Sequence, residues 1–183
     1  MNQSKYIYLM AGPSGSGKSS VARKITEWYG FKEVWSYTER PPRYAGEPGH
    51  IFVTPEEFDA AGPMCAFTLY NGYRYGVPQS EIDSSLLYVI DPAGIEYMKT
   101  HYAGSKGIAV IGIWAPEEAR RERMISYGLN PDTTYSNMDN IQAELDFAME
   151  LYKKLGCPII NVANKSIEET ATLIMESLKE NEE

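Results

Sequence analysis

This chain has little of what several functional classes require. Its 17 lysines and arginines face 25 aspartates and glutamates, a formal net charge of -8 at pH 7. Nucleic acids and anionic membrane surfaces are bound through dense basic faces, so neither is an expected partner. Cysteine is reduced to 2 residues. Cys65, in Met64-Cys65-Ala66-Phe67, and Cys157, before Pro158-Ile159-Ile160, lie far apart and match no metal-ligand spacing. Both read as small buried hydrophobes in a reduced compartment. No apolar run approaches the roughly 20 residues that a bilayer span requires. The N-terminus, MNQSKYIYLMAG, holds one lysine and too short an apolar segment for a secretory signal. Repeats and low-complexity tracts are also missing. These absences lead to the expectation of a cytoplasmic protein. At 183 residues it is long enough for one well-buried domain and too short for two full ones.

What is present alternates. Tyr6 to Met10, Leu86 to Ile90, Ile108 to Trp114 and Ile159 to Val162 are short continuous apolar runs, the pattern of buried parallel strands. Helical spacing runs from Ser19 to Gly30, Ala93 to Tyr102, Pro116 to Tyr127, Tyr135 to Leu155 and Ser166 to Lys179. Strands alternating with helices predict an α/β fold, a parallel sheet flanked by helices. The stretch from Trp35 to Asp83 breaks that rhythm. Thr54-Pro55-Glu56-Glu57-Phe58 has the N-cap, proline and early acids of a short helix, and Asn71-Gly72 between aromatic-rich runs signals a hairpin. We therefore expect one domain over 1–183. Its core lies at about 1–35 and 84–183, a partly antiparallel acceptor-binding lobe at about 36–83, and a lid at about 127–138. The segment Pro131 to Ser136 falls in that lid.

One motif carries chemistry by itself. Gly12-Pro13-Ser14-Gly15-Ser16-Gly17-Lys18-Ser19-Ser20 fits G-x-x-x-x-G-K-S/T, follows a predicted strand and opens a predicted helix. Glycines let the backbone turn its N–H groups onto phosphate oxygens at a helix N-terminus that already favours anions. Lys18 is expected to bridge the β- and γ-phosphates of a bound ATP, and the Ser19 hydroxyl to ligate Mg²⁺. An ordinary strand–turn–helix would not require lysine and serine after the last glycine.

Other residues are open to two readings. Thr38-Glu39-Arg40-Pro41-Pro42-Arg43-Tyr44-Ala45-Gly46-Glu47 stiffens two arginines with two prolines. It is either a solvated loop pairing with Glu39 and Glu47, or a clamp for an anion. Asp91, after a strand, either reaches Mg²⁺ through water or the acceptor, or caps the next helix. Arg120, Arg121 and Arg123 share one helix and cannot all face one way. An arginine there stabilises charge on a transferring phosphoryl group, or simply pairs with Glu117 and Glu118.

In order along the chain stand the phosphate loop, Ser36-Tyr37-Thr38-Glu39-Arg40-Pro41-Pro42-Arg43, Gly46-Glu47, and Phe52-Val53-Thr54-Pro55-Glu56-Glu57-Phe58. Asn71-Gly72-Tyr73-Arg74-Tyr75-Gly76 and Asp91-Pro92-Ala93-Gly94 follow. Together they resemble the guanylate kinase family, whose pattern runs S-x-T-T-R-x-P-R-x-G-E, F-V-x-x-x-E-F, G-N-Y-Y-G and D-x-D-x-Q-G. The resemblance implies a P-loop NTPase fold, with Ser36, Arg40, Arg43, Tyr75 and Asp91 binding a small phosphorylated acceptor. Lys18, Arg40 and Arg123 would be catalytic. Asn164, in Asn164-Lys165-Ser166, would lie near the adenine of ATP. A monomer or homodimer is expected.

The departures are as specific. The family's base-reading glutamate and Ser/Thr fall on Ala66 and Val77, which cannot hydrogen-bond a base. The first acid of D-x-D falls on Val89. The lid pattern R-x-x-x-R-G keeps Arg123 but has Tyr127 for its second arginine, and a later lid arginine falls near Asn137. His50 stands where the family has a phosphate-binding tyrosine; it either binds a phosphate or is a satisfied loop histidine, and the second reading is preferred. GMP is the acceptor the family implies. Tyr75-Gly76-Val77 followed by Glu81-Ile82-Asp83 is similar to the ribose 1,5-bisphosphate kinases, which makes a phosphorylated sugar the alternative. A non-catalytic guanylate-kinase-like binding module is the other; it is disfavoured by the complete phosphate loop.

Overall fold

The structure is a computed structural model, and it describes residues 4–126, 128, 130 and 138–180, with backbone alone at 138–145, 147, 179 and 180. Contacts within the chain divide it into two compact units. One is Met1–Leu9 with Tyr29–Ala109, the other Met10–Trp28 with Val110–Glu183. The boundary crosses the chain inside β1 (Tyr6–Ala11), before the last residue of α1 (Lys18–Tyr29) and inside β7 (Gly107–Trp114).

The apolar runs form strands as their composition requires. β1 buries its last five residues, since a strand covered on both faces has no solvent side to leave polar. With β6 (Leu87–Val89), β7 and β8 (Ile159–Asn161) it forms a parallel sheet in the order β6-β1-β7-β8. Helices flank it. In α1 (Lys18–Tyr29), Val21, Ala22 and Ile25 are buried, which is the spacing of one helical face. α4 (Pro92–His101), α5 (Glu117–Ser126), α6 (Met138–Leu155) and α7 (Ile167–Glu180) complete the set. α7 opens on a reciprocal cap: the Glu169 amide donates to the Ser166 hydroxyl at 3.0 Å, and the Ser166 amide to the Glu169 carboxylate at 2.7 Å.

A second sheet has the order β3-β2-β5-β4 and is mixed. β2 (Ser36–Thr38) runs parallel to β3 (His50–Phe52) and antiparallel to β5 (Tyr73–Pro78), and β5 pairs antiparallel with β4 (Met64–Tyr70). The β4–β5 hairpin turns where Asn71-Gly72 predicted, with φ of +49° and +79° at its two central residues. α2 (Pro55–Ala60) has the expected cap, with Thr54 and Glu57 bonded reciprocally. Its Phe58 is buried, and a Cβ on Gly76 would stand 2.9 Å from the Phe58 ring and from Met64. Glycine in β5 is therefore a packing requirement. β2, β3 and the short α3 (Gln79–Asp83) carry no signal in the sequence, because three to five residues are too few to display a period. Of the expected lid at about 127–138, all but residues 128, 130 and 138 lie outside the described residues, Tyr127, Asn137 and the segment Pro131 to Ser136 among them.

Candidate functional site

The phosphate loop is shaped by what surrounds it. A Cβ on Gly12 would lie 2.1 Å from the carbonyl oxygen of Ile113, so β7 passes too close for any other residue. Gly15 and Gly17 have φ of +77° and +95°, values that side chains resist. The Ser16 amide donates to the Pro13 carbonyl at 3.2 Å, and α1 starts with the Val21 amide bonded to Gly17. Lys18 reaches back from the first turn of α1, its Nζ donating to the carbonyls of Gly12 at 2.7 Å and Pro13 at 2.9 Å. Ser14 and Ser19 are exposed, whereas the Ser16 hydroxyl is buried with no hydrogen-bond partner.

Two arginines of α5 hold this loop from behind. Arg120 is 3% exposed; its Nε donates to the Ala115 carbonyl at 3.1 Å and its Nη1 to the Ser14 carbonyl at 3.2 Å. Arg123 donates through Nη1 to the Ser16 carbonyl at 3.2 Å and through Nη2 to the carbonyls of Val162 and Ala163. Arg121 instead makes the surface pair with Glu117 at 3.8 Å. Beside the loop a cleft of about 100 Å³ is lined by Ser16, Gly17, Ser20, Arg123, Lys165 and Ser166. Asn164 is exposed in the loop between β8 and α7.

The mixed sheet gathers most of the expected acceptor residues. Its register sets Ser36 beside His50 and Thr38 beside Tyr75. Arg40, two residues beyond β2, donates from Nε to the Tyr75 hydroxyl at 3.0 Å. Its Nη1 and Nη2 grip both carboxylate oxygens of Glu47 at 3.2 and 2.8 Å. The backbone amide of Arg43 also donates to Glu47, at 2.7 Å. Glu47 is buried, and these donors, the Arg40 guanidinium first, pull its pKa down to about 2. Arg40 is thus largely engaged within the turn, while the Arg43 side chain is 71% exposed. Of the two readings of this segment, the structure shows the pairing: Arg40 and Arg43 both pair with Glu47. Glu39 is taken by Arg74, which also pairs with Asp59 at 2.6 Å and lies over the Phe58 ring.

His50 differs from the satisfied loop histidine expected. It stands in β3, its ring edge against Tyr75 at a centroid distance of 5.5 Å, and its buried Nδ1 has no hydrogen-bond partner. Burial, with Arg40 nearby, holds its pKa below the ordinary value. Asp91 caps α4: Oδ1 accepts from the Gly94 amide at 2.8 Å and Oδ2 from the Thr68 hydroxyl at 2.9 Å. Ser36 shares a hydrogen bond with Tyr88 at 3.1 Å, and burial raises the Tyr88 pKa strongly. The positions that read a base in the resembled family are closed here: Ala66 is 1% and Val77 0% exposed.

Sequence reasoning did not find Thr68, Tyr88 or the two-sided role of Glu47. It left Arg120 undistinguished from Arg121, and burial and hydrogen-bond partners separate them. Among the described residues no cluster of three His, Cys, Asp or Glu could hold a metal, and no helix is long and apolar enough to cross a membrane.

Comparison with known proteins divides along the chain. Residues 113–175, from within β7 to within α7, match the model of the kinase/pyrophosphorylase family. A protein of Lactobacillus gasseri named as a pyruvate, phosphate dikinase regulatory protein is 77% identical over 61 residues, 33% of this chain and 22% of its own length. One from Lactobacillus delbrueckii subsp. bulgaricus with the same name is 52% identical over 107 residues, 58% of this chain and 33% of its own. The chain therefore spans only 22–33% of the length of these relatives. In structure it is similar to guanylate kinase from Anaplasma phagocytophilum, with a TM-score of 0.60 at 23% identity, covering 100% of this chain and 88% of that one. A weaker likeness, TM-score 0.50 at 14% identity, is to an uncharacterized protein from Eubacterium ventriosum, over 96% of this chain and 99% of that one. The fold is guanylate-kinase-like, and the sequence likeness over residues 113–175 is to the kinase/pyrophosphorylase family.

Proposed function

We propose that this chain is an ATP-dependent phosphotransferase. Gly12 to Ser20 binds the donor, and the surface around Arg43 and Tyr75 binds a small phosphorylated acceptor. The observation that carries the reading is the phosphate loop, with its positive-φ glycines and with Lys18 folded over the Gly12 and Pro13 carbonyls. Lys18 would move from these carbonyls to the β- and γ-phosphates. The cleft beside Ser16, Arg123 and Lys165 suits the donor's nucleoside, with Asn164 at its edge. Mg²⁺ when bound neutralises charge on the triphosphate; Ser19, exposed at the head of α1, is the residue to ligate it. A metal brought by the nucleotide fits a site without a carboxylate cluster. Asp91 would act through water: each of its oxygens accepts one hydrogen bond and keeps a lone pair for a water on that metal. Transfer to a phosphate oxygen needs no general base, so the protein's work is positioning and charge stabilisation.

The acceptor is the finer question. Arg43, the Tyr75 hydroxyl and the remaining donor capacity of Arg40 suit a phosphate dianion. Beyond the phosphate, Ala66 and Val77 offer nothing to a guanine edge, whereas the Ser36–Tyr88 and Thr68–Asp91 pairs suit hydroxyl groups. A hydroxyl-rich phosphorylated sugar fits these residues better than GMP. A second reading rests on the relatives' name: a regulator that exchanges phosphate with a dikinase protein, using residues 113–175.

One assay separates these. ADP release from ATP and Mg²⁺ is measured with GMP, other nucleoside monophosphates, ribose 1,5-bisphosphate and purified pyruvate, phosphate dikinase as acceptors. Turnover with the sugar phosphate and not with GMP supports the first reading. GMP preference would show that other residues read a base, and phosphate appearing on the dikinase would favour the second. ATP binding with no turnover on any acceptor leaves a binding module.

A further inference from the structure

We infer that Arg120 and Arg123 are positioning residues of the phosphate loop, which set the direction of two of its anion-binding amides. The inference rests on the nucleotide-binding reading above. In a trans peptide the C=O of one residue and the N–H of the next point in opposite directions. Arg120 holds the Ser14 carbonyl, so it fixes which way the Gly15 N–H points; Arg123 holds the Ser16 carbonyl, and so fixes the Gly17 N–H. Gly15 and Gly17 are the loop's positive-φ residues, where the backbone has most freedom to turn its amides elsewhere. A loop of this kind binds phosphate through such amides, and without a tether each would lose part of its binding free energy in being reoriented.

The tethers are well anchored. Arg120 is buried and also tied to the Ala115 carbonyl just beyond β7. The Cβ position of Gly15 lies 3.0 Å from the Arg120 Cβ and 2.9 Å from its carbonyl oxygen, so α5 abuts the loop itself. Arg123 is half-buried and ties the loop between β8 and α7 to the same place through Val162 and Ala163. One helix thereby holds three carbonyl-bearing segments of the donor site in register. Lysine cannot reproduce this, because only the planar fork of a guanidinium serves two carbonyls in fixed directions.

The test uses inorganic tripolyphosphate, which has no nucleoside, with the whole chain and its Arg120→Lys and Arg123→Lys variants. Affinity is read by calorimetry, and each loop amide by ¹⁵N–¹H spectra. The wild-type chain should bind, with the Gly15 and Gly17 amides moving on saturation. Each variant should bind about tenfold more weakly, the worth of one directed hydrogen bond. The amide response should be lost selectively, Gly15 in Arg120→Lys and Gly17 in Arg123→Lys, with the other retained. Were Arg120→Lys too unstable to study, Arg123→Lys at its half-buried position would carry the test alone. Unchanged affinity and unchanged amide responses would overturn the inference while leaving nucleotide binding intact. Equal loss at both glycines in each variant would also overturn it, since that is a merely structural role. No binding of tripolyphosphate or ATP by the wild-type chain would sink the nucleotide reading and this inference together.

Discussion

The phosphate loop and the Arg40 turn both organise arginines, and they do so in opposite ways. Arg120 and Arg123 donate to main-chain carbonyls. Arg40 donates to the Glu47 carboxylate, and its charge is answered within the turn. The first arrangement fixes the Ser14 and Ser16 carbonyls of the loop. The second fixes a backbone turn and leaves the Arg43 side chain largely exposed. Residue type alone would have assigned all three arginines to the same task.

The largest expected effects fall on the loop. Gly12→Ala would put a methyl group into the Ile113 carbonyl, which cannot retreat without disturbing β7. Thermal denaturation should show a loss above about 3 kcal/mol, or no soluble protein. Lys18→Met should leave melting nearly unchanged but reduce ATP turnover by about 100- to 1000-fold, the range for removing one group that meets developing charge. A smaller loss would mean that Lys18 stays on the Gly12 and Pro13 carbonyls during turnover.

Effects in the turn should be smaller and visible mostly in stability. Glu47→Gln breaks the buried pair with Arg40 and should lower Tm by about 4–8 °C, roughly 2 kcal/mol for a chain of this size. The pH dependence follows in sign. Glu47 is held at about 2 in the folded chain against 4.5 ordinarily, so its contribution is present above pH 4.5 and lost as pH falls toward 2. Melting curves of Glu47→Gln across that interval should have a flatter acid limb than the wild type; parallel limbs would remove the pair from the account. The smallest effect belongs to His50. Its folded pKa lies below the ordinary 6.5, so the unfolded chain takes the proton first and stability falls as pH drops below 6.5. His50→Phe should remove that slope while leaving the acid limb due to Glu47.

Much of the fold was legible because local rules sufficed. The runs at Tyr6, Leu86, Ile108 and Ile159 became the four strands of the parallel sheet, and Thr54-Pro55 and Asn71-Gly72 marked a helix start and a hairpin. β2 and β3 were not legible, since each is three residues long and is held by partners far along the chain. The phosphate-loop motif could be read complete from nine consecutive residues. The expected acceptor residues Ser36, Arg40, Arg43 and Tyr75 came only through a family resemblance, and Tyr88 and Thr68 not at all.

By itself, then, the sequence determined a phosphate-loop motif on an α/β core, because a Gly-rich turn, a lysine and a helix start act over a few neighbouring residues. Which arginine serves which carbonyl or carboxylate was decided only in the tertiary structure. Arg120 meets Ser14 across 106 residues of chain, Arg40 meets Tyr75 across 35, and His50 loses water through neighbours on other strands. Burial and hydrogen-bond direction are properties of what packs against a residue, and no local pattern encodes them.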